Sequence, residues 1–182
     1  MNVTPDLDAR FREAAVCEGI VDVRFDTFDS PVGELFVAAT DRGLARISYW
    51  PDGMEESLAR TFGVRVLRAP LDEVRRELDE YFSGNRREFD LALDLRVAPF
   101  HAEVLRELAL VPYGRTDTYG ALAAKVGRPR AARAVGTVMN RNPIPIVLPC
   151  HRIVGANGSL TGYAGGLDVK QRLLQLEGAM LA

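Results

Sequence analysis

Cys150, His151 and Arg152 stand in a row at the end of a proline-rich run that begins at Asn142. A thiol attacks an electrophile as its thiolate, and forming a thiolate at neutral pH takes a neighbouring base or positive charge. Both adjoin this cysteine. Pro143, Pro145 and Pro149 each fix their own φ and bias the residue before them towards extended backbone. Ile146, Val147 and Leu148 are apolar enough to bury that stiff segment. A free cysteine is commonly just a small buried hydrophobe, and a Cys-His pair by itself arises often by chance. The residues around the pair must decide.

Ahead of Pro149-Cys150-His151-Arg152 lies Asn142-Pro143-Ile144-Pro145, and behind it Gly162-Tyr163-Ala164-Gly165-Gly166. Together these closely resemble the O6-alkylguanine-DNA alkyltransferases, the methylated-DNA–protein-cysteine methyltransferases that repair alkylated guanine by self-methylation. The resemblance runs from about Val21 to Gly178 and is densest from Pro112 onward, with several motifs in the family's order and spacing. It implies stoichiometric, irreversible transfer of a methyl or alkyl group to Cys150, without turnover and without a cofactor. O4-alkylthymine is a second candidate lesion. His151 is implied as the base, acting through a water, with Glu177 orienting its imidazole. Tyr119 is implied as the donor to the departing base, and Asn142 as the tie between a helix-turn-helix and the active-site loop. Tyr163, Gly165 and Gly166 are implied as the wall of the nucleotide pocket, and Arg133 as the finger that fills the gap left in the base stack. Two positions depart from the family: Leu105 stands where a tryptophan is common, and Arg141 where some members have glycine. Some members carry zinc in their N-terminal domain. Here the only cysteines and histidines are Cys17, Cys150, His101 and His151, so no metal is expected.

The chemistry sets its own demands. A free thiol titrates at about 8.5 and is mostly protonated at neutral pH, so a base is needed. An alkyl group on guanine O6 inside a stacked duplex is out of reach of a thiol, so the nucleotide must be flipped out. Glu177 follows a helical stretch over 167–176, where its charge opposes the helix macrodipole. A buried partner such as His151 would offset that.

The elements that must present these groups to DNA lie in the basic part of the chain. Net charge is −2 overall, which argues against indiscriminate nucleic-acid binding. Residues 1–111 hold 14 Arg against 22 Asp and Glu, whereas residues 112–182 hold 9 Lys and Arg against 3 acids. One anionic partner meeting the second half fits this segregation. Thr118 can cap a helix through Tyr119, Leu122, Ala123 and Val126 that ends at Gly127. Pro129 is expected to start the next, through Met139. Helix, tight turn and helix is the plan of a helix-turn-helix, though also of a plain αα-hairpin. Ala131, Ala132, Ala134 and Gly136 give the second helix little bulk to bury and few side chains to read bases. Such a face suits close approach to a minor groove with little sequence readout, with Arg128, Arg130 and Lys125 placed for phosphates. Double-stranded DNA is the expected partner and a monomer the expected state.

The rest of the chain supports this half. Val21, Val23 and Phe25 alternate as on a half-buried strand. A turn at Ser30 to Gly33, a strand over 35–39, a turn at Asp41 to Gly43 and a strand over 44–49 predict an antiparallel meander. Leu71, Val74, Leu78 and Tyr81 have helical spacing closed by Gly84, and Phe89 to Leu95 alternates again as a strand. Phe100, Val104, Leu105, Leu108 and Val111 predict an amphipathic helix opening at Pro99. The first half shows core and no chemical constellation. The expected fold is α+β: a small antiparallel sheet with helices over 21–95, which the resemblance implies is ribonuclease-H-like, and a mostly helical domain over 96–182 carrying the helix-turn-helix. Residues 1–20 form an extension, with a short amphipathic helix expected over 4–17. No signal peptide and no membrane span is legible, and two cysteines give no disulfide framework, so a cytoplasmic location that suits a free thiol, and no membrane partner, are expected. Three other readings stay open: a lesion-binding protein that does not repair, opposed by Cys150; a Cys-His-Glu hydrolase, which leaves the basic hairpin unexplained; and a transcription regulator, which would tolerate loss of the thiol.

Overall fold

The computed structural model describes residue 10, residues 14–63 and residues 65–180. Most of the helix expected over 4–17 lies outside the described residues; residues 14–17 are helical. The alternating segment becomes β1 (Val23–Ser30), followed by β2 (Gly33–Thr40) and β3 (Gly43–Ser48). β1 pairs antiparallel with β2, and β2 with β3. The meander is extended by an element that alternation did not reveal. β4 (Val66–Arg68) pairs parallel to β1, giving the order β3-β2-β1-β4. Its three residues are too few to display a period. Helix α1 (Met54–Phe62), also unanticipated, covers one sheet face, where Leu58 packs with Val23, Phe25, Phe36 and Ala38.

The other face carries the main core. Phe28, Leu35, Val37 and Ile47 pack there with Val74, Leu78 and Tyr81 of α2 (Asp72–Phe82), and with Val104, Leu105 and Leu108 of α3 (Pro99–Ala109). Pro99 opens α3 at its first turn, where the missing N–H costs nothing. Leu105 is fully buried where the family commonly has a tryptophan, so that departure is a matter of packing. The segment 89–95 does not form the expected strand. It touches β3 at a single bridge, Leu44 with Leu93, and side chains capture its polar groups instead. Glu77 Oε2 accepts the Asp90 N–H, and the Asp94 carboxylate is held by Thr40 and Arg96. The crossing is close. A Cβ on Gly43 would lie 2.3 Å from the Ala92 carbonyl oxygen.

Thr118 caps α4 (Tyr119–Lys125) as expected, its hydroxyl accepting from the Ala121 N–H at 3.1 Å. Helix α5 (Ala132–Asn140) starts later than Pro129. The Ala131 N–H bonds the Arg128 carbonyl at 2.8 Å, so Pro129 sits second in a four-residue turn, a place its fixed φ suits equally well. Arg130 and Ala131 therefore precede the helix. A short 3-10 turn, Cys150–Arg152, leads into β6 (Ile153–Val154), which pairs parallel with β5 (Asp117–Thr118); α6 (Leu167–Leu176) follows. No described helix is long and apolar enough to cross a membrane.

Candidate active site

The proline run does not continue as extended chain. Ile146 has φ 74°, the one non-glycine residue among those described with positive φ. For a β-branched side chain that conformation is strained, by about 1–3 kcal/mol. Asn142 holds the turn that imposes it. Its Oδ1 accepts the Ile144 N–H at 3.1 Å and its Nδ2 donates to the Leu148 carbonyl at 2.7 Å. The same Nδ2 lies 3.1 Å from the Cys150 sulfur. The carboxamide therefore ties the end of α5 to the loop that carries Cys150.

Cys150 is 3% exposed. Burial pushes its thiol up to about 11, against the opposing pull of hydrogen bonds from Asn142 and Tyr163 and the charge of Lys170. At neutral pH it is a thiol awaiting a base. His151 is fully buried beside it, and burial lowers its pKa despite Glu177. Its Nε2 lies 2.8 Å from Glu177 Oε1. Burial would raise the Glu177 carboxyl, but hydrogen bonds from His151 and Arg152 prevail and hold it at about 2. Facing a carboxylate, Nε2 carries the proton, which leaves Nδ1 as the lone-pair nitrogen. That buried Nδ1 has no hydrogen-bond partner among the described residues. The geometry leaves His151 a neutral imidazole with Nε2 held by the carboxylate and Nδ1 free.

Glu177 is the C-cap of α6, where a carboxylate meets the wrong end of the helix dipole. Arg152 compensates more fully than His151 can, donating to Oε2 through Nε at 2.9 Å and to Oε1 through Nη2 at 3.0 Å. Its Nη1 also bonds the Val111 carbonyl. The Gly114 N–H completes Oε2 at 3.3 Å, and the Tyr81 hydroxyl donates to Oε1 at 2.7 Å.

Tyr119 sits at the start of α4, its hydroxyl accepting from Thr161 at 2.9 Å. A Cβ on Gly136 would lie 3.9 Å from the Tyr119 ring, so α5 rests on it. Tyr163 and Gly165 belong to the loop before α6, and both meet Tyr49, just after β3. Arg128, Arg130 and Arg133 are exposed on the hairpin, while Ala131 and Ala132 are half-buried. Arg128 lies over the Phe100 ring and reaches Glu103 at 4.0 Å. Lys125 is paired with Asp117 at 2.8 Å, a competitor for any phosphate.

Three contributions were missed from sequence. Lys170 is fully buried, donating to the Ile153 and Thr161 carbonyls. Its spacing from Leu173, Leu174 and Glu177 put it on one helix face with them, a signal that was available. Tyr81 ends the apolar stripe of α2, and a buried tyrosine hydroxyl needs a partner. Tyr49 gave no signal at all. Its hydroxyl lies 2.6 Å from that of Tyr163. The first half thus supplies two phenols to the site, and is more than core.

Comparison with known proteins places this geometry. Residues 23–95 match the family model for the 6-O-methylguanine DNA methyltransferase ribonuclease-like domain, and residues 99–179 that for the DNA binding domain of the same family. The methylated-DNA–protein-cysteine methyltransferase of Mycolicibacterium paratuberculosis is 46% identical over 85% of this chain and 92% of its own. That of Methanosarcina acetivorans is 41% identical over 84% and 96%. The crystal structure of Mycobacterium tuberculosis O6-methylguanine methyltransferase superposes with TM-score 0.77 at 39% identity, covering 88% of this chain and 95% of that one. Mycobacterium tuberculosis OGT in complex with DNA gives TM-score 0.77 at 38% identity, covering 86% and 93%.

Proposed function

The chain belongs to the 6-O-methylguanine DNA methyltransferase family, and from that premise we propose that Cys150 is the acceptor through which it repairs DNA by alkyl transfer to cysteine. One observation carries the assignment. Buried Cys150 is followed directly by a buried imidazole whose second nitrogen is left free by a carboxylate on Nε2. His151 Nδ1 takes the thiol proton, relayed by a water. The thiolate attacks the alkyl carbon in line, the S–C bond forms as the C–O6 bond breaks, and the electron pair leaves on guanine. Tyr119 supplies a proton or hydrogen bond to the departing base. The thioether is stable, so each molecule reacts once.

Glu177 and Arg152 position the imidazole, and Asn142 positions the sulfur. Duplex DNA is bound, and we propose that α5 enters its minor groove with Ala132 and Gly136 allowing close approach. Arg133 then occupies the stack vacated by the flipped nucleotide. Arg128 and Arg130 contact phosphates, while Tyr163 and Gly165 wall the pocket. Groove, monomeric state, cytoplasmic location and a division of the chain into 21–95 and 96–182 are parts of the same proposal. The segregation of positive charge into residues 112–182 supports DNA as the partner, and the small residues Ala132 and Gly136 on α5 support the groove.

The test is intact-protein mass after incubation with duplex DNA carrying O6-methylguanine. A gain of one methyl per molecule is expected in the wild type and none in Cys150→Ala. A wild type that binds the duplex yet gains nothing would remove Cys150 from the chemistry.

A further inference from the structure

We propose that Tyr49, just after β3 in the first half of the chain, is a positioning residue for the transfer, its hydroxyl fixing and polarising the Tyr163 hydroxyl of the pocket loop. The inference rests on the reading of Cys150 as acceptor. The two phenol oxygens are 2.6 Å apart, their rings tilted at 57° with centroids separated by 5.8 Å. Either oxygen could donate. If Tyr163 gives its proton to the sulfur, Tyr49 must be the donor of the pair, and a hydroxyl that accepts one hydrogen bond donates a stronger one. The chain of donors then runs from Tyr49 through Tyr163 to the thiolate.

The end of β3 holds the pocket loop at consecutive residues. Tyr49 bonds Tyr163, the Trp50 indole N–H donates to the Ala164 carbonyl at 3.2 Å, and a Cβ on Gly165 would lie 2.7 Å from the Tyr49 ring. Only glycine lets the loop press this close. Asn142 Nδ2 lies 3.1 Å from the Cys150 sulfur and His151 follows it in the chain, while Lys170 of α6, Tyr163 of the loop before α6 and Tyr49 just after β3 are coupled to it through charge or hydrogen bonding. Hydrogen bonding from Tyr163 lowers the thiol's pKa, and burial keeps both phenols protonated far above neutral pH. Neither tyrosine is consumed as a base. Tyr163 acts as a fixed donor to negative charge on sulfur, and Tyr49 as the fixed donor to Tyr163.

The experiment uses the full chain with Cys17→Ser, since Cys17 is an exposed thiol, and compares Tyr49→Phe, Tyr163→Phe and the double variant. Each keeps its ring and loses one oxygen. The pH dependence of Cys150 alkylation by iodoacetamide, read by mass, reports the thiol directly. Single-turnover methyl transfer from a saturating O6-methylguanine duplex reports the reaction. Tyr49→Phe should move the alkylation profile to higher pH and slow transfer about three- to tenfold, with duplex affinity unchanged. The double variant should be no slower than Tyr163→Phe, because Tyr49 acts through that hydroxyl. An unmoved alkylation profile in Tyr49→Phe, or losses that add in full, would overturn the proposal. A wild type that takes no methyl would overturn the acceptor reading instead, and the alkylation profile separates the two failures.

Discussion

At the scale of single residues the site is organised by what Glu177 must accept. Its two oxygens receive hydrogen bonds from His151, Tyr81, Arg152 and the Gly114 N–H. Removing a neutral donor and removing the charge are therefore different experiments. Tyr81→Phe deletes one hydrogen bond to a carboxylate that keeps its other partners, and should cost about 1–3 kcal/mol. Glu177→Gln leaves the Arg152 guanidinium buried without its counter-charge, and should cost about 3–5 kcal/mol. Urea denaturation of both variants checks the ranking, and equal losses would show that charge is not what holds the cluster. Sequence singled out Cys150, His151 and Glu177 because they stand where the family resemblance puts its reacting groups. It left Tyr81 and Tyr49 unread because their partners lie 96 and 114 residues away, and no local pattern encodes contacts of that range. Arg152 was legible only as a charge beside the thiol; its work is on Glu177.

At the scale of elements, residues that have one good use in a helix can have another in a turn. Pro129 fits the first position of a helix and the second of a turn, and the structure takes the turn, so α5 begins at Ala132. The hairpin itself was legible because Thr118 and Gly127 bracket α4. The edge strand β4 and the irregular segment 89–95 were not, since one is too short for a period and the other has a strand's period but pairs with β3 at a single bridge. With α5 starting at Ala132, Arg133 stands in its first turn with an exposed side chain. A finger that replaces a flipped base should matter only where there is a stack to fill. Arg133→Ala should slow methyl transfer from duplex DNA by about tenfold or more, a fraction of the few kcal/mol that unstacking costs. With a single-stranded oligonucleotide the same variant should be nearly as fast as wild type. Equal slowing on both substrates would make Arg133 a phosphate contact.

At the scale of the molecule, one continuous core joins the halves. Leu35, Val37 and Tyr81 share it with Leu105, Val135, Ile146 and Leu173. The ionisable groups at the site are thus buried in structure that both halves build, and their titration is charged to the stability of the whole. His151 has its folded pKa below the ordinary 6.5, so an unfolded chain binds a proton that the folded one refuses as pH drops through 6.5. Glu177 goes from an ordinary 4.5 to about 2 in the fold. Its stabilisation is complete above 4.5 and is lost as pH falls towards 2, by about 3 kcal/mol in all. Both contributions have the same sign, so stability should decline in two stages on acidification, first below 6.5 and then between about 4.5 and 2. In Glu177→Gln the second stage should shrink while the protein is less stable at neutral pH. Urea midpoints measured from pH 8 to pH 3 test this. A wild-type profile flat below pH 4.5 would mean that Glu177 is not held as a carboxylate, and the proton on His151 would then have to be reassigned.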